Sequence, residues 1–184
     1  MKKIASLPAA VTMGLILSAT LLPTAPAGAR GKSARPEQTS VGRVSVIDGD
    51  TLELHGLRIR LAAMDAPESR QSCRRDGRQW PCGRSAAFAL ADLIGTRPVI
   101  CSWRALDRYR RPVAKCTVGG TDLGGWMVDQ GWALAFRRYG LDYVTEERRA
   151  REGRRGVWAG SFVPPWAFRA HRDEEVSAQS YAGA

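Results

Sequence analysis

Around residues 44–54 apolar and polar positions alternate, with Val44 and Val46 before a tight reversal at Asp48-Gly49-Asp50 and Leu52 and Leu54 after it. Period-two patterning about an Asp-Gly pair predicts a β-hairpin, because Gly adopts positive φ at no steric cost and Asp bonds its own backbone. A third extended run, residues 58–64, ends in Asp65-Ala66-Pro67-Glu68. Pro67 biases Ala66 away from the helical region, so the carbonyl of Ala66 projects instead of joining a helix ladder. From Gly83 the spacing turns helical, with Ser85 as N-cap, Phe88, Leu90, Leu93 and Ile94 on the apolar face, and Gly95 as the stop. Phe88 is placed in the core by that reading. Residues 98–118 form a second hairpin, residues 122–130 a short helix with Leu123, Trp126 and Met127 on one face, and residues 131–136 a further strand. A last helix falls within residues 142–155, where Glu147 and Arg151 stand at i,i+4. Trp158, Trp166 and Phe168 then read as aromatic plugs that pack the returning chain onto the domain.

The order β-β-β, loop, α, β-β, α, β, α predicts an α+β domain on a small five-stranded β-barrel of the OB type, with about three helices. No internal repeat interrupts it. Residues 41–172 carry this domain. Residues 1–29 read as a secretory signal: Lys2 and Lys3 precede an apolar run over residues 10–22, Pro23 closes it, and small residues at 25–29 offer cleavage sites. The apolar run is short for a membrane span. The expectation is therefore an exported chain, secreted or periplasmic, with no stable membrane association once the signal is cut; an uncleaved anchor is the competing reading. Residues 30–40 are polar and read as a flexible lead-in, and residues 173–184 as a disordered tail.

Charge narrows the partners without choosing among them. The 184 residues carry a formal net charge of +10, of which the signal contributes only Lys2 and Lys3. A basic exported domain attracts nucleic acid, acidic polysaccharide or anionic lipid. The four cysteines, Cys73, Cys82, Cys101 and Cys116, agree with export, since an even number in an oxidising compartment implies disulfides. A zinc site is disfavoured, because no CxxC occurs and the histidines are His55 and His171 alone. A hairpin over residues 98–118 centred between Arg108 and Tyr109 sets Cys101 opposite Cys116, close enough to bridge, which leaves Cys73–Cys82 to close the loop after Glu68.

The chemistry-bearing residues gather at strand ends, where backbone direction aims them. Asp48 and Asp50 lie on one turn, Asp65 and Glu68 follow an adjacent strand, and Arg60 lies on that strand. The sets Asp48-Gly49-Asp50-Thr51, Arg60-Leu61-x-x-x-Asp65-Ala66-Pro67-Glu68 and Asp107-Arg108-Tyr109-x-Arg111 resemble, in order and separation, the staphylococcal (micrococcal) nuclease family, also called thermonucleases. The resemblance covers about residues 41–159. It implies an OB barrel with added helices and Ca²⁺-dependent hydrolysis of DNA and RNA to 3′-phosphate ends. It also implies roles for individual residues. Asp50 and Asp65 would ligate Ca²⁺ directly, the Ala66 carbonyl would complete the protein ligands, and Asp48 would act through water. Glu68 would serve as general base or water positioner. Arg60 and Arg111 would grip the scissile phosphate, and Tyr109 and Tyr139 would line the nucleotide pocket. A monomer acting on DNA and RNA is the expected working form.

Those roles agree with general chemistry. Ca²⁺ takes several oxygen ligands in loose geometry, and phosphodiester attack gathers negative charge that a cation and two guanidiniums stabilise. Three departures stand out. The family's type member has Thr where this chain has Ala66, and Gly where it has Arg110, which bears on the aim of Arg111. The Cys73–Cys82 loop has no counterpart in that member. The alternative function is a non-catalytic OB-type module that holds nucleic acid or another polyanion on its basic surface.

Overall fold

The structure is a computed structural model that describes residues 36–172. The expected signal (1–29), most of the lead-in and the tail (173–184) lie outside the described residues. In chain order the elements are β1 (Gln38–Gly42), β2 (Val44–Asp48), β3 (Thr51–Leu54), β4 (Leu57–Leu61), β5 (Met64–Asp65), β6 (Cys73–Arg75) and β7 (Arg78–Trp80). There follow α1 (Cys82–Ile94), β8 (Val99–Leu106), β9 (Pro112–Val118), β10 (Thr121–Asp122), α2 (Leu123–Asp129), β11 (Leu134–Ala135) and α3 (Val144–Glu152). A short 3₁₀ turn (Gly156–Ala159) leads to α4 at residues 165–172.

The main sheet runs β1-β8-β9-β4-β3-β2, with β10 paired to β9, and it curls into a half-barrel. Its pairs are antiparallel except β4 with β9, where Arg60 lies beside Val113. β1 and β2 flank Arg43 in one continuous stretch, yet β1 edges β8 while β2 edges β3. One segment of chain therefore supplies both end strands of the sheet. A Cβ at Gly42 would meet His55 Nε2 at 2.6 Å and Leu54 Cδ1 at 2.9 Å, so a side chain at this bend would have to displace the ends of both.

The core joins the inner face of the sheet to the helices. Leu52, Leu54, Ile59 and Leu61 from β3 and β4 pack with Ala86, Leu90 and Ile94 of α1 and with Leu123, Met127 and Val128 of α2. A smaller apolar cluster gathers Cys73, Cys82, Leu134 and Val157, with Trp80, Trp158 and Phe162 against it. Disulfides join Cys73 to Cys82 and Cys101 to Cys116, the second pair being directly opposed on β8 and β9. No helix among the described residues is long and apolar enough to cross a membrane.

The α+β, OB-type architecture read from the sequence is the one observed, with differences in detail. The main sheet has seven strands instead of five because Gln38–Gly42, partly assigned to a flexible lead-in, pairs along β8 from Gln38↔Trp103 to Gly42↔Val99, and Thr121–Asp122 pairs with β9. The stapled loop contains the hairpin β6–β7. α1 begins at Cys82, ahead of the proposed cap Ser85, and Phe88 is 68 % exposed instead of core. Its neighbours Ala86 and Leu90 take the buried stripe. The strand expected over residues 131–136 shrinks to Leu134–Ala135. The aromatic return of the chain includes a fourth helix, α4, in which Trp166 is 40 % exposed and packs its ring 5.6 Å from that of Phe136.

Candidate active site

Two turns that are far apart along the core are pressed together by missing side chains. A Cβ placed on Gly49 would lie 2.7 Å from the Cβ of Ala66 and 3.0 Å from that of Ala86. The turn carrying Asp48 and Asp50 thus rests directly on Ala66 and on α1. A Cβ on Gly83 would lie 1.7 Å from the carbonyl oxygen of Glu68, so the first turn of α1 is wedged against the backbone that bears Glu68. Gln71, 1 % exposed, locks the same backbone: its Oε1 accepts from the Glu68 N–H at 3.2 Å, and its Nε2 donates to the Val163 carbonyl at 2.6 Å. Pairing of β5 with β11 sets Leu134 opposite Asp65. Glu147 of α3 supports β11, accepting from the Ala135 N–H at 3.2 Å and from Arg137 Nη2 at 2.7 Å.

The side chains so positioned alternate in charge. Arg60 Nη2 reaches Asp50 Oδ2 at 2.8 Å and Asp65 Oδ1 at 2.6 Å, so both buried carboxylates converge on one nitrogen. The Thr51 hydroxyl donates to Asp50 Oδ1 at 2.9 Å, and the Asp50 N–H donates to Asp48 Oδ1 at 3.0 Å. Beyond Asp65 comes a residue the sequence reading passed over. Arg169 of α4 donates through Nη2 to Asp65 Oδ2 at 2.7 Å, and through Nη1 to Glu68 Oε1 at 2.7 Å and Asp65 Oδ1 at 3.2 Å. Its neighbours Trp166 and Phe168 were read as packing residues, and that packing is the sole sequence signal that this segment returns to the domain.

The electrostatics follow from burial. Asp50 is 5 % exposed, and desolvation pushes its carboxyl up to about 7; Arg60 opposes this, while Asp48 and Asp65 add to it. Arg60 is raised: burial works against its charge, but Asp50 and Asp65 outweigh that cost. Arg169 is likewise held well above its ordinary value, against its own desolvation, by hydrogen bonds to Asp65 and Glu68.

The basic hairpin tip is built separately. Asp107 Oδ1 accepts from the N–H groups of Tyr109 and Arg111, both at 2.9 Å, and Asp107 Oδ2 accepts from Arg111 Nε at 2.8 Å. These bonds hold the Asp107 carboxyl below its ordinary value despite some desolvation. Arg110, at φ +65°, occupies the left-handed conformation that Gly would take freely. The tip therefore keeps a glycine-type turn with an arginine in it, and the aim of Arg111 is fixed by Asp107. Tyr109 is 68 % exposed, with the guanidiniums of Arg108 and Arg111 at 5.3 and 5.5 Å from its ring centre. Tyr139, 71 % exposed, leans on Phe136 at 5.2 Å between ring centres.

The structure thus brings together Asp48, Asp50, Arg60, Asp65 and Glu68, and puts Ala66 in the same wall. It leaves Arg111 and Tyr109 on the neighbouring hairpin tip and Tyr139 beyond β11. Among the described residues no three acids, cysteines or histidines enclose an ion by themselves, because guanidiniums stand between the carboxylates. The donor set is nevertheless right for a hard cation: every candidate ligand is an oxygen, and Asp50 bears a burial penalty that Arg60 offsets only in part and that added positive charge would relieve. A cleft of about 540 Å³ lies elsewhere, against Arg75, Arg78 and Trp80 of the stapled hairpin.

A family described as staphylococcal nuclease homologue matches residues 58–160, which carry Arg60, Asp65, Glu68 and Arg111. The chain belongs to the staphylococcal nuclease family. Among similar proteins are the succinoglycan biosynthesis protein ExoI of Rhizobium meliloti (strain 1021), 38 % identical over 152 residues that cover 80 % of this chain and 75 % of that one. An uncharacterized endonuclease of Escherichia coli O157:H7 is 32 % identical over 137 residues, covering 70 % and 83 %. A micrococcal nuclease of Shigella flexneri is 32 % identical over 144 residues, covering 68 % and 78 %. Membership places the chain in the nuclease class of hydrolases. Arg169 lies past the end of the part matched to the staphylococcal nuclease family.

Proposed function

We propose that this protein is an exported, Ca²⁺-dependent nuclease that hydrolyses phosphodiester bonds of DNA and RNA and leaves 3′-phosphate ends. The observation that carries the reading is the convergence of buried Asp50 and Asp65 on Arg60, with Glu68 held on the same wall by Gln71. Binding of a polyanion alone has no use for a buried carboxylate cluster, which repels phosphate in the absence of a cation.

Asp50, Asp65 and the Ala66 carbonyl would hold Ca²⁺, with Asp48 acting through water, and the ion would supply charge neutralisation at the scissile phosphate. The loss of a threonine hydroxyl at Ala66 leaves the carbonyl ligand in place. Glu68 orients a water molecule and takes its proton as that water attacks phosphorus; the P–O5′ bond breaks, the phosphate stays on the 3′ side, and the departing 5′ oxygen takes a proton from solvent. Arg60 presents its charge to the phosphoryl oxygens, where negative charge grows toward the transition state. Arg111, steadied by Asp107, adds a second planar fork that matches two phosphate oxygens. Tyr109 and Tyr139 offer exposed rings for the nucleotide. Export rests on residues 1–29, and the two disulfides support an oxidising destination; action as a monomer completes the reading.

The test is degradation of single-stranded DNA and of RNA by the purified protein in Ca²⁺ and in EGTA, beside Asp50→Ala. Cleavage that needs Ca²⁺, disappears in the variant and leaves 3′-phosphates is the expected result. Tight binding with no cleavage in Ca²⁺ would replace the enzyme by the non-catalytic binding module.

A further inference from the structure

Arg169 makes three contacts with the acidic wall at once: 2.7 and 3.2 Å to the two oxygens of Asp65 and 2.7 Å to Glu68. Asp65 is fully buried, and its charge is shared between Arg60 on one side and Arg169 on the other. The reach of α4 to this point is not accidental packing of a loose end. Ser161 and Arg74 exchange backbone hydrogen bonds, both 2.9 Å, and the Val163 carbonyl is held by buried Gln71, whose other amide atom holds the Glu68 N–H. Trp166 closes on Phe136. One polar side chain thus ties the base-bearing backbone to the segment that delivers Arg169.

We infer that Arg169 is a built-in counter-cation that competes with the metal ion for Asp65, and so sets the metal affinity of the site. The inference rests on the proposed calcium site and deepens it. A guanidinium that saturates both Asp65 oxygens and a divalent cation ligated by the same carboxylate exclude each other, by occupancy and by like-charge repulsion in a poorly hydrated place. Without the metal, Arg169 offsets part of the negative charge of Asp48, Asp50, Asp65 and Glu68 and keeps the wall assembled. With the metal, Arg169 leaves Asp65 and releases its hydrogen bond to Glu68. The competition is reciprocal: whatever factor Arg169 takes from metal affinity, the metal takes from the docking of α4.

The experiment is isothermal titration of the full chain with CaCl₂ in the absence of nucleic acid, for the native sequence, Arg169→Gln and Asp65→Ala. Arg169→Gln should bind Ca²⁺ about tenfold more tightly, equivalent to about 1.4 kcal/mol, and Asp65→Ala should not bind. Unchanged or weaker binding by Arg169→Gln, with normal binding by the native chain, overturns the inference and leaves the calcium site standing. No binding by either protein overturns both. A second measurement needs no variant: amide hydrogen exchange over residues 161–172 of the native chain should speed up on Ca²⁺ saturation. Unchanged or slower exchange there shows that α4 stays docked over the ion and also overturns the inference, assigning Arg169 instead to the phosphate.

Discussion

Asp50→Asn should stabilise the metal-free protein while abolishing its response to calcium. Asp50 is 5 % exposed, and although Arg60 and Thr51 bond its oxygens, burial pushes the carboxyl from its ordinary acidic range up to about 7. The unfolded chain therefore releases this proton at lower pH than the folded one. Between about pH 4 and pH 7 the folded state holds more protons, so its stability falls as pH rises, and above about pH 7 the loss is complete. Such a displacement corresponds to at most about 4 kcal/mol. Asparagine carries no charge at any pH and escapes that loss, but it is a poorer acceptor for Arg60, so a net gain of about 2 kcal/mol is expected near pH 8. Urea unfolding in EGTA measures it. The gain should be large near pH 8 and small near pH 4.5, and saturating Ca²⁺ should reverse the ranking by stabilising only the native sequence. Lower stability of Asp50→Asn near pH 8 in EGTA would refute the reasoning, since it would mean that the Arg60 pairing outweighs burial.

Glu68→Gln should lower turnover by about a hundredfold with calcium binding retained in titration, and equal turnover would remove Glu68 from proton transfer. Arg110→Gly relieves a left-handed arginine, and the urea midpoint should rise by the equivalent of about 1 kcal/mol; a fall would show that the arginine side chain contributes more than its backbone costs. Gly49→Ala forces a methyl group to within 2.7 Å of Ala66 Cβ with no flexible side chain to yield, at a cost of about 1–3 kcal/mol. Calcium affinity should fall with it, because the turn carrying Asp50 is pushed off the Asp65 wall; a native calcium isotherm would separate the two turns.

The sequence by itself determined the local pieces: the Asp-Gly reversal with its flanking alternation, the acid-rich end of the third strand, the Asp107 tip, the apolar face of α1 around Leu90 and Ile94, and an α+β domain of OB type. These are decided over a few residues by turn chemistry and periodicity, which is why they can be read without coordinates. The same locality explains what was misread. Phe88 fits a helical stripe, but which side of the stripe meets the sheet depends on the sheet, and Ala86 with Leu90 faces it. Gln38–Gly42 carries only a polar, weakly alternating pattern, and it is a strand because β8 offers an unpaired edge. Only the tertiary structure decided that Gly49 and Gly83 are close approaches, that buried Gln71 joins Glu68 to Val163, and that Glu147 buttresses β11 from α3. Arg169 is the extreme case. It reaches Asp65 across 104 positions of chain, and no spacing along the sequence encodes that distance. One arginine in a basic sequence is indistinguishable from its neighbours until packing brings it to a buried carboxylate, where desolvation makes the choice of partner matter.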